Sequence, residues 1–303
     1  MLEQVNYGNG KIKSIRLIQR HFPKKYLRRR LWRFIIFGQN MKAFKVLDLF
    51  SGIGGFSLGL ERCVIDEKKA FETIAFCEIE KFPQKVLAKH WPGIKIYEDV
   101  RNVTAKQLAA DGLFPDVITG GFPCQDISVA GNQAGIGEGT RSGLWSECAR
   151  LLGEIRPKFA IFENVTALLN GQRGDWFKRV LWDISSVGYD AEWHCIRAGT
   201  VGLPQQRDRI WIVAYPNKIG RKASIFEDSL VNKKGSFREW EQVELYGTRS
   251  GNARWLPVAR DWRMGDGVPS EMDVNRFECC GNSVVPQIPE LIGMAILESE
   301  RNA

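Results

Sequence analysis

Apolar residues gather in short runs along the chain up to about residue 215. FKVLDLF (44–50), TIAFCEI (73–79) and shorter runs at 94–97, 116–119 and 159–162 read as buried strands. The segments between them carry helical patterning, and strands alternating with helices predict an α/β fold with a largely parallel sheet. After residue 188 the pattern changes. YDAEWHCI (189–196) and RIWIVAY (209–215) lie close enough to pair antiparallel at a sheet edge. From Pro216 to about Arg276 the chain turns polar and irregular, with NKKGS, GTRSGNA and scattered Trp, which suits a small loop-rich insert better than a core. Apolar helical patterning returns in VVPQIPELIGMAILE (284–298), a segment able to pack back on the main domain. No internal repeat or low-complexity tract interrupts this plan.

Composition sets the scale. With 303 residues and 44% apolar content, the chain can build one large domain, or one large and one small. No run reaches the roughly 18–20 apolar residues a spanning helix needs, and RFIIFG (33–38) falls far short, so no membrane-spanning helix is expected. Seven cysteines without a C-x-x-C pair, and only three histidines, suggest neither a zinc site nor a disulfide framework. A cytoplasmic, reducing setting without a metal is the expectation. The net charge of +8 looks like a nucleic-acid signature until its distribution is counted. Residues 1–42 hold eleven Lys or Arg against one acid, which leaves the rest slightly acidic. Met41 directly precedes KAFKVLDLF, so 1–42 reads as a basic extension: a mispredicted start, or an arm for DNA phosphates or a membrane surface. The remaining boundaries are a catalytic and cofactor-binding domain at 43–215, a small target-recognition region at 216–278, and a returning C-terminal segment at 279–303.

Candidate chemistry begins at DLFSGIGGFSLGL (48–60), where glycines stand at a strand-to-helix turn. Gly52, Gly54 and Gly55 permit tight turns and close ligand approach. A dinucleotide fingerprint would want a third glycine where Ser57 stands, which disfavours a nicotinamide cofactor. Glu78 closes the second strand, where an acid typically takes both ribose hydroxyls, and Asp99 follows the next strand-like segment within reach of an adenine amino group. Together they suggest an adenosyl ligand without a phosphate. DVITGGFPCQ places Cys124 just past the carboxyl end of a fourth strand, on the rim where open α/β sheets bind ligands. At an ordinary thiol pKa of about 8.5 it needs an activating environment to act as a nucleophile. FAIFENV (159–165) delivers Glu163 and Asn164 to the same rim, and burial there would raise the acid towards neutrality. PQQRDR (204–209) offers Gln205, Arg207 and Arg209 at alternate positions leading into a strand, suited to a phosphate or a polarised carbonyl oxygen.

In this order the segments resemble the DNA (cytosine-5) methyltransferase family of bacteria and phages. DLFSGIGG resembles its S-adenosylmethionine loop, GFPCQ its nucleophile motif, ENV its acid motif, QQRDR its Gln-x-Arg-x-Arg motif and GNSVVPQI (281–288) its C-terminal motif. The resemblance implies a Rossmann-like S-adenosylmethionine-dependent methyltransferase fold, mostly parallel with an antiparallel edge hairpin, plus a small loop-rich target-recognition domain. It implies methyl transfer to C5 of a flipped-out cytosine in a specific double-stranded DNA sequence, through a covalent bond from Cys124 to C6. Glu163 would protonate N3, Arg209 would hydrogen-bond the O2 side, and Arg207 would help orient the site. Asn164 and Pro123 would position the amino edge and the thiolate loop, with Gln125 completing the catalytic group.

For the cofactor, S-adenosylmethionine, the resemblance implies Asp48, Phe50, Ser51, Gly52, Gly54, Gly55, Glu78, Ile79, Asp99, Val100, Pro123, Leu144, Asn282, Ser283 and Val284, with Trp145 beside Leu144. Phe50 and Ile79 would flank the adenine. The glycine-rich SVAGNQAGIGEGTRSG (128–143) suits a lid over the extruded base, and Ser128, Arg141, Gln205 and Arg207 would contact DNA. In the insert, Arg238, Arg249, Asn252 and Arg254 are candidates for base contacts. A monomer acting within a restriction-modification system is expected, without a stable complex with the cognate endonuclease. Two other readings compete. A transfer-RNA cytosine methyltransferase would share the catalytic residues, but this chain lacks that branch's Cys-Phe-Thr element. A non-catalytic DNA-binding relative would depart at the catalytic positions, and none does.

Overall fold

A computed structural model of the chain describes residues 42–123, 141–201, 207–217, 225, 279 and 281–302, and their side chains except those of Arg141, Ser142 and Asn302. The basic extension, most of the insert with Arg238, Arg249, Asn252 and Arg254, and the expected lid up to residue 140 lie outside the described residues.

The elements in chain order are β1 Phe44–Leu49, α1 Gly55–Leu60, β2 Val64–Ile65, β3 Lys68–Lys69, β4 Phe71–Cys77, α2 Lys81–His90, β5 Lys95–Tyr97, α3 Ala105–Ala110, β6 Val117–Gly121, α4 Trp145–Ile155, β7 Phe159–Val165, α5 Asp175–Ser186, β8 Tyr189–Arg197, β9 Asp208–Pro216 and α6 Gln287–Asn302. The chain divides into two compact units, residues 42–64 with 69–303, and residues 1–41 with 65–68. Of the second unit only 65–68 are described. There Asp66 and Glu67 both take left-handed backbone, φ 49° and 65°, as a tight hairpin turn requires.

The larger unit is built on a seven-stranded sheet in the order β5-β4-β1-β6-β7-β9-β8. The first five strands of that order run parallel, while β9 pairs antiparallel with both β7 and β8. The antiparallel pair lies at the sheet edge as expected: β9 sits beside β7, and β8 is the outermost strand. Central β1 and β7 are buried almost throughout, which is why they read as unbroken apolar runs.

Helices cover both faces. On one, α4 turns Trp145, Cys148, Leu151 and Leu152 inwards at helical spacing, packing with Leu108 of α3 and Val180 and Ile184 of α5 onto Leu47, Ile118 and Phe162. The α4 helix ends where Arg156 turns left-handed (φ 58°) just before Pro157, which cannot continue it. On the other face α6 lies against α1. A Cβ on Gly59 would sit 2.1 Å from the Pro286 carbonyl oxygen, and one on Gly55 2.6 Å from that of Val284, so only glycine allows this approach. The helix α6 starts at Gln287, later than its sequence pattern suggested, because Pro286 has no amide to continue a helix backwards. Among the described residues no helix is long and apolar enough to cross a membrane.

Candidate functional site at the carboxyl rim of the sheet

The parallel strands deliver the predicted chemistry to one rim. After β1 the chain turns sharply, with Phe50 (φ 51°), Gly52 and Gly54 in left-handed backbone. Buried Ser51 stitches this turn to the neighbouring strand: its hydroxyl donates to the Asp48 carbonyl at 2.5 Å, and its amide donates to the Cys77 carbonyl at 3.1 Å. Glu78, just past β4, accepts from the Gly52 amide at 2.7 Å and the Glu80 amide at 2.8 Å. Burial raises its carboxyl above the usual range, and those two amides oppose the rise. The Ile79 amide also opposes the rise, and a carboxylate with about four acceptor positions can still accept from a ribose hydroxyl. Among the described residues, chain neighbours aside, no atom lies within 4 Å of where a Gly52 Cβ would be, so the turn leaves room beside that acid. The residues present thus fit an adenosyl group, with Glu78 on the sugar and the Gly52–Gly55 turn beside it.

The other predicted cofactor residues differ in exposure. Ile79 is 58% exposed and Phe50 half-buried, so both can meet a flat ring. Asp99 caps the turn that follows it and is forked by the Arg101 guanidinium at 2.6–3.0 Å, which holds its carboxyl below the ordinary range. Val100 is buried in the core, Leu144 is half-buried and Asn282 is exposed. Ser283 and Val284 pack against Gly55, at the start of α1. Asp48 is completely buried beneath the turn, where its carboxylate accepts from the Ser57 and Thr119 hydroxyls at 2.8 and 2.7 Å.

Two strands further along, Glu163 lies opposite Gly121 across the β6–β7 pair. One carboxylate oxygen meets the Arg209 Nε at 2.9 Å; the other would be 3.3 Å from a Cβ on Gly121, so the glycine makes room for the acid. Burial raises the Glu163 carboxyl, and Arg209 and then Arg207 pull it back down. Arg209 also donates to the Asp208 carbonyl at 2.9 Å, while Arg207 donates to the Gly281 carbonyl and ties the start of β9 to the C-terminal segment. Phe56 and Trp211 meet edge to face at 5.5 Å beside this pair.

Asn164 points to the opposite face of the sheet. Its amide donates to the Phe122 carbonyl at 3.1 Å, and its oxygen accepts from the Val165 amide at 2.8 Å. Phe122 is wedged against Trp145, with ring centroids 5.0 Å apart, and Trp145 is fixed in turn by a 3.0 Å bond from its indole to Asp183. The chain is thereby pinned two residues before Cys124. Pro123 is half-buried and is the last described residue before that loop. Cys124, Gln125, Ser128, Gln205 and the Arg141 side chain lie outside the described residues.

Sequence reasoning missed Ser57, Thr119, Gly121 and the Phe122 carbonyl. A signal existed for Thr119: it is a polar residue in an apolar central strand, beside a second one, Asp48.

The family described as C-5 cytosine-specific DNA methylase matches residues 44–250. Type II methyltransferase M2.BsuMI of Bacillus subtilis (strain 168) is 35% identical over 188 residues, 61% of this chain and 43% of that protein. Type II methyltransferase M.Sau3AI of Staphylococcus aureus is 31% identical over 222 residues, 69% of this chain and 53% of its own length. Among solved structures, a candidate DNA modification methyltransferase encoded within an E. coli prophage superposes with a TM-score of 0.50 at 25% identity, covering 60% of this chain and 49% of that one. The chain spans about half the length of the curated relatives it matches.

Proposed function

The chain belongs to the C-5 cytosine-specific DNA methylase family, and from that premise we propose that it transfers a methyl group from S-adenosylmethionine to C5 of a cytosine flipped out of double-stranded DNA. The Cys124 thiolate adds to C6, and the electron pair of the C5–C6 double bond moves through the ring towards N3. Glu163 supplies a proton to N3 as that charge develops, while Arg209 donates to the O2 side and holds the acid in place. S-adenosylmethionine, when bound, supplies an electrophilic methyl group. C5, now enamine-like, takes the methyl as the bond to the donor sulfur breaks and leaves a neutral thioether; water then removes the C5 proton, the C5–C6 double bond re-forms with expulsion of the Cys124 thiolate, and N3 returns its proton to Glu163. Glu78 and the Gly52–Gly55 turn hold the adenosyl group, and Asn282 and Ser283 complete its methionine end. Asn164 steadies the nucleophile loop through the Phe122 carbonyl.

The observation that carries the reading is Glu163. A carboxylic acid raised by burial, yet braced at 2.9 Å by an arginine, stands across Gly121 from the strand that runs into Cys124. Such a group holds a proton more readily than an exposed carboxylate does and can release it to a ring nitrogen. The protein acts as a cytoplasmic monomer, without a stable complex with any cognate restriction endonuclease. Expression in a host lacking cytosine methylases, followed by bisulfite sequencing of its plasmid, tests the activity. A recurring methylated sequence is expected, and Cys124→Ala abolishes it; unmethylated DNA from the wild-type chain refutes the proposal.

A further inference from the structure

Asp48 differs from the other acids of the rim. It has no solvent exposure and no ion pair among the described residues, although a buried carboxylate is expensive to keep without a cation. Its oxygens instead join three separate pieces of chain. The Ser57 hydroxyl, from the first turn of α1, donates to one oxygen at 2.8 Å, and the Thr119 hydroxyl, from β6, donates to the other at 2.7 Å. The Ser57 amide adds a further bond, and the Asp48 carbonyl accepts from Ser51 inside the glycine turn. Ser57 and Thr119 are themselves fully buried, so neither hydroxyl has water as an alternative partner. Two of these pieces lead into reacting groups: α1 starts from the turn beside Glu78, and β6 continues through Gly120 and Gly121 to the Cys124 loop. An asparagine of the same shape offers one acceptor oxygen, whereas the carboxylate accepts from all three donors at once.

We propose that Asp48 is a positioning residue that locks the methyl-donor turn to the strand leading into the nucleophile loop, so that donor and thiolate keep a single register. The proposal rests on the methyltransferase reading above. Its two arms can be cut separately. Thr119→Val keeps the shape of β6 and removes one hydroxyl. Donor affinity by calorimetry is expected to stay within about twofold of wild type, while single-turnover methyl transfer and covalent capture of 5-fluorocytosine DNA slow about tenfold; Thr119→Ser restores both rates. Ser57→Ala is expected to weaken donor binding about tenfold, and Asp48→Asn to show both defects.

General loosening of the fold would instead lower donor affinity and transfer rate in the same proportion, or move only the unfolding midpoint; either result overturns the proposal. Should Ser57→Ala fail to fold, the Thr119→Val and Thr119→Ser pair decides alone. A wild-type protein that methylates normally, with a Thr119→Val variant matching it, removes this inference and leaves the functional reading intact. A wild-type protein without methylation removes both.

Discussion

Replacing Asp48 by Asn removes a buried charge at nearly constant volume, and the consequence is a stability difference that depends on pH. Burial raises the Asp48 carboxyl from the ordinary 3.8 to about 7; bonds from Thr119 and Ser57 oppose the rise, and the neighbouring Glu78 carboxylate adds to it. An acid raised in this way binds its proton more tightly in the folded chain than in the unfolded one. Its contribution to stability is therefore complete below about pH 3.8, declines as the pH climbs, and is lost once the pH passes about 7. Between pH 5 and pH 8 linkage gives a loss of roughly 3 kcal/mol that the Asn variant does not suffer. At about 2–4 °C per kcal/mol for a domain of this size, the variant should gain about 5–10 °C on wild type over that interval. Thermal unfolding of both proteins, free of donor, at pH 5, 6, 7 and 8 measures the difference, and taking the difference removes most of the contribution of the other raised acids, Glu78 and Glu163. A gap that stays constant with pH refutes the reasoning. The same variant should transfer methyl groups more slowly at pH 8 despite its relative gain in stability, which separates positioning from mere structural support.

Glu163→Gln retains a hydrogen-bonding partner for Arg209 but has no proton to give, so single-turnover transfer should fall about 100- to 1,000-fold with the fold intact by circular dichroism. The wild-type rate should decline as the pH rises through the raised Glu163 pKa, and the Gln variant should lack that limb; superimposable pH profiles would contradict the acid role. Asn164→Ala strips partners from the Phe122 carbonyl and the Val165 amide, costing about 1–3 kcal/mol in urea unfolding. It should also slow capture of 5-fluorocytosine DNA, and an unchanged capture rate would show that the nucleophile loop does not depend on this bond. Gly59→Ala drives a methyl group to 2.1 Å from the Pro286 carbonyl. The 284–289 segment must then lift from α1, so calorimetry should find weaker donor binding together with a lower unfolding midpoint; a variant matching wild type in both would mean that the segment yields without cost.

The strands were legible because central strands of a parallel sheet are buried on both faces and read as apolar runs, as β1 and β7 do. The β2–β3 hairpin was not, since two-residue strands carry no periodicity. Nor was the insertion of β9 between β7 and β8: the two runs can pair antiparallel whichever of them forms the edge, and only the β7–β9 register distinguishes the arrangements. That register also decides how Glu163 meets Arg209. Arg209 aligns with Val165 and Trp211 with Glu163, so the guanidinium reaches the carboxylate diagonally, on the face that successive even steps along β9 share.

The sequence did show Glu163 and Asn164 at a strand end, but not that their adjacency divides their work. Neighbouring residues on a strand face opposite sides of the sheet. Glu163 therefore stands with Gly121 and Arg209 on the side of α1, where a proton can be delivered, while Asn164 turns to the α4 side and holds the Phe122 carbonyl from behind. A one-residue slip of β7 against β6 would exchange the two, burying the acid among apolar side chains and leaving the nucleophile loop unpinned. The observed register pairs Gly121 with Glu163, and a side chain in place of that glycine would crowd the carboxylate where it now sits. Strand register is thus as much a part of the proposed chemistry as the acid itself.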